Sequence, residues 1–404
     1  MPGPGLRERL GDALGVLDLR ARDVRVERRW TRDGLDGEEL SWTVGFGPRT
    51  RAYLLRPHGV PGPLPGVLAM HCHAGMKWAG KDKIADGPEP PAPEVARLRD
   101  RLYGGRAYAG ELARRGFAVL AHDVFAWGSR RFPPADLPPV EGMGPDASEP
   151  ERYDRAARDH EHVLAKACTL LGTSFTGVLA SEDLAAAAYL RSRPDIAPLS
   201  NTTSASAAVS DSAAVSGSAA VSGSAAVSGS AAVSGSAAVS GSAAVSGSGI
   251  ASESDVGSAS DAGSVAVIGL SGGGVRAAVL GALDPGIGAV AVAAAVSSFR
   301  DLREEHVAAH SWMMFPPGLT RLADWPGVVA SRAPAPLMVL YAAADPLFPA
   351  RGMRRAHRQI TDAYRDAPAR YTGAFFDAPH RFDRAMQDAA FDWLAGVVAG
   401  EAFP

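Results

Sequence analysis

Apolar residues recur along this chain with two periods. In nine short runs they crowd together or alternate, as strands require: Val24–Trp30, Leu40–Val44, Arg51–Leu55, Val67–Cys72, Ala118–His122, Val265–Ile268, Val290–Val296, Leu337–Tyr341 and Tyr371–Phe376. Between the later runs, Arg106–Arg115, Tyr153–Leu171, Gly177–Arg191, Val275–Leu283, Arg351–Ala367 and Arg381–Val398 place apolar residues at helical spacing. The early strands come without helices and the later ones alternate with them. That order predicts an α/β fold: an antiparallel N-terminal part, then a mostly parallel central sheet with helices on both faces.

One tract fits neither period. SAAVS occurs seven times between Ser206 and Ser246, and its Ser/Ala/Gly/Val bias extends over about residues 200–263. Without aromatic or large aliphatic residues it cannot bury enough apolar surface to offset the entropy of ordering. A six-residue solenoid would have only valine inside, which is too little core. The tract reads as a disordered insert. Without it, "YLRSRPDIAP" joins "SVAVIGLSGGG" as an ordinary helix–loop–strand connection, so it interrupts one domain spanning 1–404. It enters at the amino end of its strand, which places it on the face opposite any ligand crevice.

Composition narrows the picture little. A net charge of -3 favours neither nucleic acid nor an anionic membrane as partner. Two cysteines, Cys72 and Cys168, make no disulfide framework and suit a reducing cytoplasm. The first twenty residues carry acids and arginines where a signal peptide would be apolar, and no apolar run approaches the roughly 18 residues that span a bilayer. The expectation is a cytoplasmic protein acting on a small molecule.

The chemistry concentrates where the period changes. In "VAVIGLSGGGVRAAVL", Gly269-Leu270-Ser271-Gly272-Gly273 fits G-x-S-x-G, a strand-to-helix turn that lifts a serine hydroxyl off the sheet rim. The Gly272 N–H then points where an oxyanion would form. The same letters also satisfy G-x-G-x-x-A through Gly272, Gly274 and Ala277, a dinucleotide-binding signature and so an oxidoreductase alternative. The downstream residues favour the serine. Asp345 follows the strand in "PLMVLYAAADPLFPA", and His380 follows the strand in "GAFFDAPHRFDRAM". Ser271, Asp345 and His380 stand in the order of an α/β nucleophile, acid and base. Asp301 is the reserve acid, whereas Asp377 and Asp383 read as structural partners.

A second oxyanion donor is expected from the N–H of His73 or Ala74, in the turn after Val67–Cys72. His71-Cys72-His73 lacks a second ligand cluster, and the histidines of "HEH" at His160–His162 diverge on a helix, so no metal is expected. Lys77, Lys81 and Lys83 read as a solvated loop, with contact to an acidic substrate as the alternative. Trp312, Met313, Met314 and Phe315 read as either an apolar pocket wall or ordinary core.

The set "HCHAGMKWAGKDK", "AHDVFAWGSR", "VIGLSGGGVRAAVLGALD", "YAAADPLFP" and "PHRFDRAMQDAAFDWL" resembles the α/β-hydrolase superfamily, in the branch of dienelactone hydrolases and acetyl xylan esterase-like proteins. The resemblance covers about residues 40–400 apart from the insert. It implies an ester hydrolase without cofactor, with Ser271 as nucleophile, His380 as base and then acid, and Asp345 orienting the imidazole. It also implies a structural or pocket-wall role for Gly128-x-Arg130. Such proteins often read His-Gly-Gly in the oxyanion loop, whereas this chain has His73-Ala74-Gly75, so a Cβ narrows the approach. A catalytically silent hydrolase fold that binds a ligand is the remaining alternative.

Overall fold

The computed structural model describes residues 5–199 and 264–400. The repeat tract, with the expectations about its disorder and the face that carries it, lies outside the described residues. In chain order the elements are α1 (Gly5–Leu14), β1 (Arg22–Arg32), β2 (Leu35–Thr43), β3 (Thr50–Pro57), β4 (Leu64–Met70), α2 (Pro93–Tyr103), α3 (Tyr108–Arg114), β5 (Ala118–His122), α4 (Glu149–Leu170), α5 (Phe175–Ser192) and the short β6 (Ile196–Ala197). After the tract come β7 (Val265–Leu270), α6 (Gly272–Leu283), β8 (Ile287–Ala293), α7 (Glu304–Ala309), α8 (Trp325–Ala330), β9 (Leu337–Ala342), α9 (Ala350–Ala363), β10 (Tyr371–Phe376) and α10 (Arg384–Ala399).

The strands join one sheet in the order β1-β2-β3-β5-β4-β7-β8-β9-β10, with β6 beside the start of β4. β1, β2 and β3 pair antiparallel, β3 joins β5 antiparallel, and every pair from β5 to β10 is parallel. The strand period of two sorts side chains between two cores. Val265 and Val267 of β7 face one side with α1, α5, α6, α8 and α9, whereas Ala266 and Ile268 face the other with α2, α3 and α10. β5 and β7 flank β4 on opposite sides, so the chain order reverses there and a crevice opens beyond the carboxyl ends of β4 and β7.

The sequence pattern leaves α1, α2, α7 and α8 unassigned, and the run extended to Val296 stops at Ala293. Ala294 turns into positive φ (43°), and the Ala293 carbonyl accepts the Ser271 N–H at 2.8 Å.

Beneath the crevice lies a buried ion cluster. Asp183 of α5 takes a two-pronged bond from Arg276 of α6 at 2.6 and 2.9 Å, and His122 Nε2 lies 3.0 Å from the same carboxylate.

At the amino end of β7, Leu199 N–H donates to Ser264 O at 3.0 Å and Ser264 Oγ to Leu199 O at 3.1 Å. The residues on either side of the tract, Leu199 and Ser264, are thus joined to each other. Replacing residues 201–260 by a short glycine–serine bridge is expected to leave the fold intact and ester turnover within about twofold of the parent. A soluble, folded deletion variant that had lost turnover would refute this.

Candidate active site

Ser271 sits between β7 and α6 at φ 56° and ψ -122°, a conformation costing a residue with a Cβ on the order of 1–3 kcal/mol. Its flanks explain how the turn closes. A Cβ on Gly269 would lie 2.4 Å from the Gly273 backbone, and one on Gly273 would lie 2.3 Å from Met70 O. The dinucleotide alternative needs the bare faces of Gly272 and Gly274 turned to a diphosphate. Instead a Cβ on Gly272 would meet Met313 Sδ at 2.8 Å, and one on Gly274 would meet Ala295 Cβ at 2.8 Å. The glycines admit neighbouring protein, so the dinucleotide reading fails on packing.

The chain brings the three expected residues together. Ser271 Oγ lies 2.9 Å from His380 Nε2, and His380 Nδ1 lies 2.6 Å from Asp345 Oδ2. Asp345 occupies the turn after β9, where its Oδ1 accepts the Leu347 N–H at 2.8 Å, and its side chain is fully buried. Acceptance by Asp345 puts a proton on Nδ1 and leaves Nε2 free to face the hydroxyl. Asp301 is engaged elsewhere, with Arg355 at 2.6 Å and Arg351 at 3.2 Å, so it is no reserve. Asp383 caps α10 through the Met386 N–H.

The loop after β4 approaches the same spot. The position of a Cβ on Gly272 is 3.0 Å from His73 N, which sets the His73 peptide beside the helix start. Ala74 takes positive φ (56°) and belongs to the cavity lining. The His73 ring ties the loop down: Nδ1 accepts the Gly75 N–H at 3.0 Å, so Nε2 carries the proton and donates to Glu161 Oε2 at 2.8 Å. Glu161 of α4 also takes Lys77 Nζ at 2.6 Å, Ser311 Oγ at 2.6 Å and Trp312 N–H at 3.1 Å. Burial works against its charge, but His73 and Lys77 outweigh that and hold the carboxyl well below its usual range.

This corrects the reading of the lysines. Lys77, Lys81 and Lys83 are all buried, not solvated, and none of them lines the cavity over Ser271. Lys77 pairs with Glu161, Lys81 lies 3.4 Å from Asp123, and Lys83 reaches backbone carbonyls. Gly128-x-Arg130 is structural: Arg130 pairs with buried Glu182 at 2.5 Å and donates to Phe46 O at 2.8 Å.

Glu161 therefore joins both walls of the crevice. Glu161→Ala would release His73, Ser311 and the Trp312 amide together and strand Lys77 without a counter-charge. The expected result is a loss of about 3–5 kcal/mol in denaturant unfolding, with kcat/KM down at least tenfold. Unchanged unfolding and turnover would show the tie to be idle.

A cavity of about 280 Å³ opens over Ser271 and His380. Leu102, Met313, Met314, Leu347 and Phe348 give it an apolar lining, with Arg101 and His310 as polar members. A second hollow of about 440 Å³ shares His73, Gly75, His310 and Ser311 with it and extends to Trp312, His162 and Arg158. Of the four expected wall residues, Met313 and Met314 line the first cavity and Trp312 the second. Phe315 does not line either; it packs on Phe299, with ring centroids 6.0 Å apart. Sequence reasoning missed Arg101 and Leu102, which sit at the end of the unassigned helix α2, and His310, Leu347 and Phe348, because the loops that carry these three hold no periodic signal.

No protein-family model matches the chain. A Bacillus subtilis (strain 168) protein named "Putative hydrolase YtaP" is 26% identical over 193 residues, which is 48% of this chain and 52% of that protein. The chain thus spans about half the length of this curated relative. Among solved structures, a "putative acetyl xylan esterase" from Bacteroides fragilis superposes with a TM-score of 0.58 at 16% identity, over 92% of this chain and 74% of that one. A glucuronoyl esterase from Solibacter usitatus gives 0.54 at 11% identity, over 97% and 91%. Acetyl Xylan Esterase 1 from Thermoanaerobacterium sp. gives 0.52 at 13% identity, over 97% and 92%. The chain has the α/β-hydrolase fold. Its structural neighbours include the acetyl xylan esterases to which its sequence motifs bear a resemblance.

Proposed function

We propose that this protein is a serine carboxylic-ester hydrolase acting on small or medium acyl groups. Ser271 Oγ attacks the ester carbonyl while His380 Nε2 takes its proton, and Asp345 holds the imidazole in the required tautomer. The N–H groups of Gly272 and of His73 or Ala74 hold the oxyanion of the tetrahedral intermediate. Protonated His380 gives its proton to the leaving alcohol, and water then repeats the sequence on the acyl-enzyme. The observation that carries this reading is the continuous contact from Ser271 through His380 to Asp345, at 2.9 and 2.6 Å, opening on an apolar-walled cavity.

The volume near 280 Å³ limits the acyl group, since pockets for drug-sized ligands run to about 300–1,000 Å³. Across p-nitrophenyl esters from acetyl to octanoyl, kcat/KM is expected to peak at acetyl to butyryl and to fall at least about tenfold by octanoyl. Hydrolysis of none of them would end the esterase reading, and a maximum at octanoyl would end the size argument.

A further inference from the structure

Behind the loop that carries His73 and Ala74 lies an ammonium group with no direct part in the acyl transfer. Lys83 is fully buried, and its Nζ donates to the carbonyl oxygens of Cys72 at 2.9 Å and of His73 at 3.2 Å. Each carbonyl is one end of a peptide group whose other end is a candidate oxyanion donor. Cys72 C=O shares its peptide with the His73 N–H, and His73 C=O shares its peptide with the Ala74 N–H. Lys77 and Lys81 both have a carboxylate within ion-pair distance, but among the described residues Lys83 has none. The Trp127 ring, 6.0 Å from Nζ, is a weak substitute. An ammonium buried without a counter-ion is costly to the fold, and this one bonds to the back of the two peptides that matter.

We propose that Lys83 is a positioning residue for the oxyanion hole: its ammonium fixes the Cys72–His73 and His73–Ala74 peptides and polarises their N–H ends toward the substrate's developing negative charge. The proposal rests on the serine-esterase reading. The physics is that of a hydrogen-bond chain in a water-poor site, where a charge at one end of a peptide strengthens the donor at the other.

The charge has a pH window. The groups facing Lys83 are the Cys72 thiol, His71 and His73 on the loop, Asp154 of α4, Asp123 after β5 and Arg276 of α6. Burial dominates and brings the ammonium down from 10.5 to about 8. The charge is therefore present below about pH 8 and lost above it. Folding linkage has the opposite sign. Between about pH 8 and 10.5 the unfolded chain binds the extra proton, so this group's contribution to stability rises with pH. A tie that served the fold alone would not make turnover fall there.

The test compares the wild-type protein, Lys83→Met and Lys83→Gln on p-nitrophenyl acetate from pH 6 to 9.5, with thermal unfolding at each pH. Removing an oxyanion donor outright costs on the order of 10²–10³ in kcat, so losing its support is expected to lower kcat about ten- to hundredfold at pH 7. KM should stay within about threefold, and the wild-type decline above pH 8 should be absent from the variants. A folded variant with wild-type kcat, or one that keeps the alkaline decline, overturns the proposal. If neither variant folds, the wild-type profile decides: a decline above pH 8 without loss of fold supports it, and a flat profile overturns it. Failure of the wild type both to hydrolyse esters and to react with a fluorophosphonate would instead overturn the esterase reading on which this rests.

Discussion

Replacing Ser271 by alanine is expected to lower kcat for p-nitrophenyl acetate by at least about a thousandfold while the protein stays folded. The hydroxyl stands at the rim of β7, 2.9 Å from His380 Nε2. Without it the imidazole has nothing to activate but water. The loss should not be total, because the oxyanion donors and the cavity remain and are worth on the order of 10³ over water. Ser271 also holds a positive φ, so alanine keeps the strained turn but loses the hydroxyl, and unfolding should shift by less than about 1 kcal/mol. His380→Ala should lose a comparable factor, and the double variant little more, since the two act as one unit. Turnover near the parent value in Ser271→Ala would remove the mechanism.

The second large effect concerns the fold. Arg276→Met should destabilise the protein by about 3–5 kcal/mol, because it leaves the Asp183 carboxylate buried without its cation. In the parent, burial opposes that charge, but Arg276 and His122 overcome it and hold Asp183 below its ordinary value. The carboxylate therefore contributes stability above pH 4, and that contribution is lost as pH falls through its lowered folded-state value. In the variant the sign reverses, since burial then outweighs the remaining His122 contact and raises the carboxyl above its ordinary value. The gap between parent and variant in urea unfolding should thus narrow as pH falls, first above pH 4, where the variant's carboxylate takes up a proton, and then below it, where the parent loses its own contribution. A constant gap across pH, or none, would mean the cluster carries no net electrostatic weight. The double variant Arg276→Met, Asp183→Leu should recover most of the loss, as matched apolar replacement of a buried pair often does.

How much of this was legible in the sequence depends on how local each signal is. The elbow was readable because its constraint is local: a strand, a serine at positive φ and glycines two residues either side. Asp345 and His380 were readable as turn residues after strands, in the right order. α1 and α2 were in principle readable too. Leu6, Leu10 and Leu14 recur at helical spacing, as do Val95, Leu98, Leu102 and Tyr103, but Gly11 and the many charges between obscure the stripe. The support for the oxyanion loop was not readable. Lys77 finds Glu161 from across 84 positions of chain, and Lys81 finds Asp123 across 42. Neighbours in sequence gave "MKWAGKDK" the texture of a solvated loop. At "HEH" attention to the two histidines hid the glutamate between them, which is the residue that turns inward. Met313 and Met314 could not be told from Phe315 beforehand, because one short helical turn buries the first two beside the cavity and leaves the third half-buried against Phe299.

The most direct test of the central claim is reaction with a fluorophosphonate, followed by mass spectrometry of the peptides. A serine hydroxyl reacts with such a reagent only when a base activates it and an oxyanion site receives the phosphoryl oxygen. The account predicts one adduct, on the peptide containing Ser271, absent from Ser271→Ala and strongly slowed in His380→Ala. An unlabelled folded protein, or an adduct on a different serine, would contradict it.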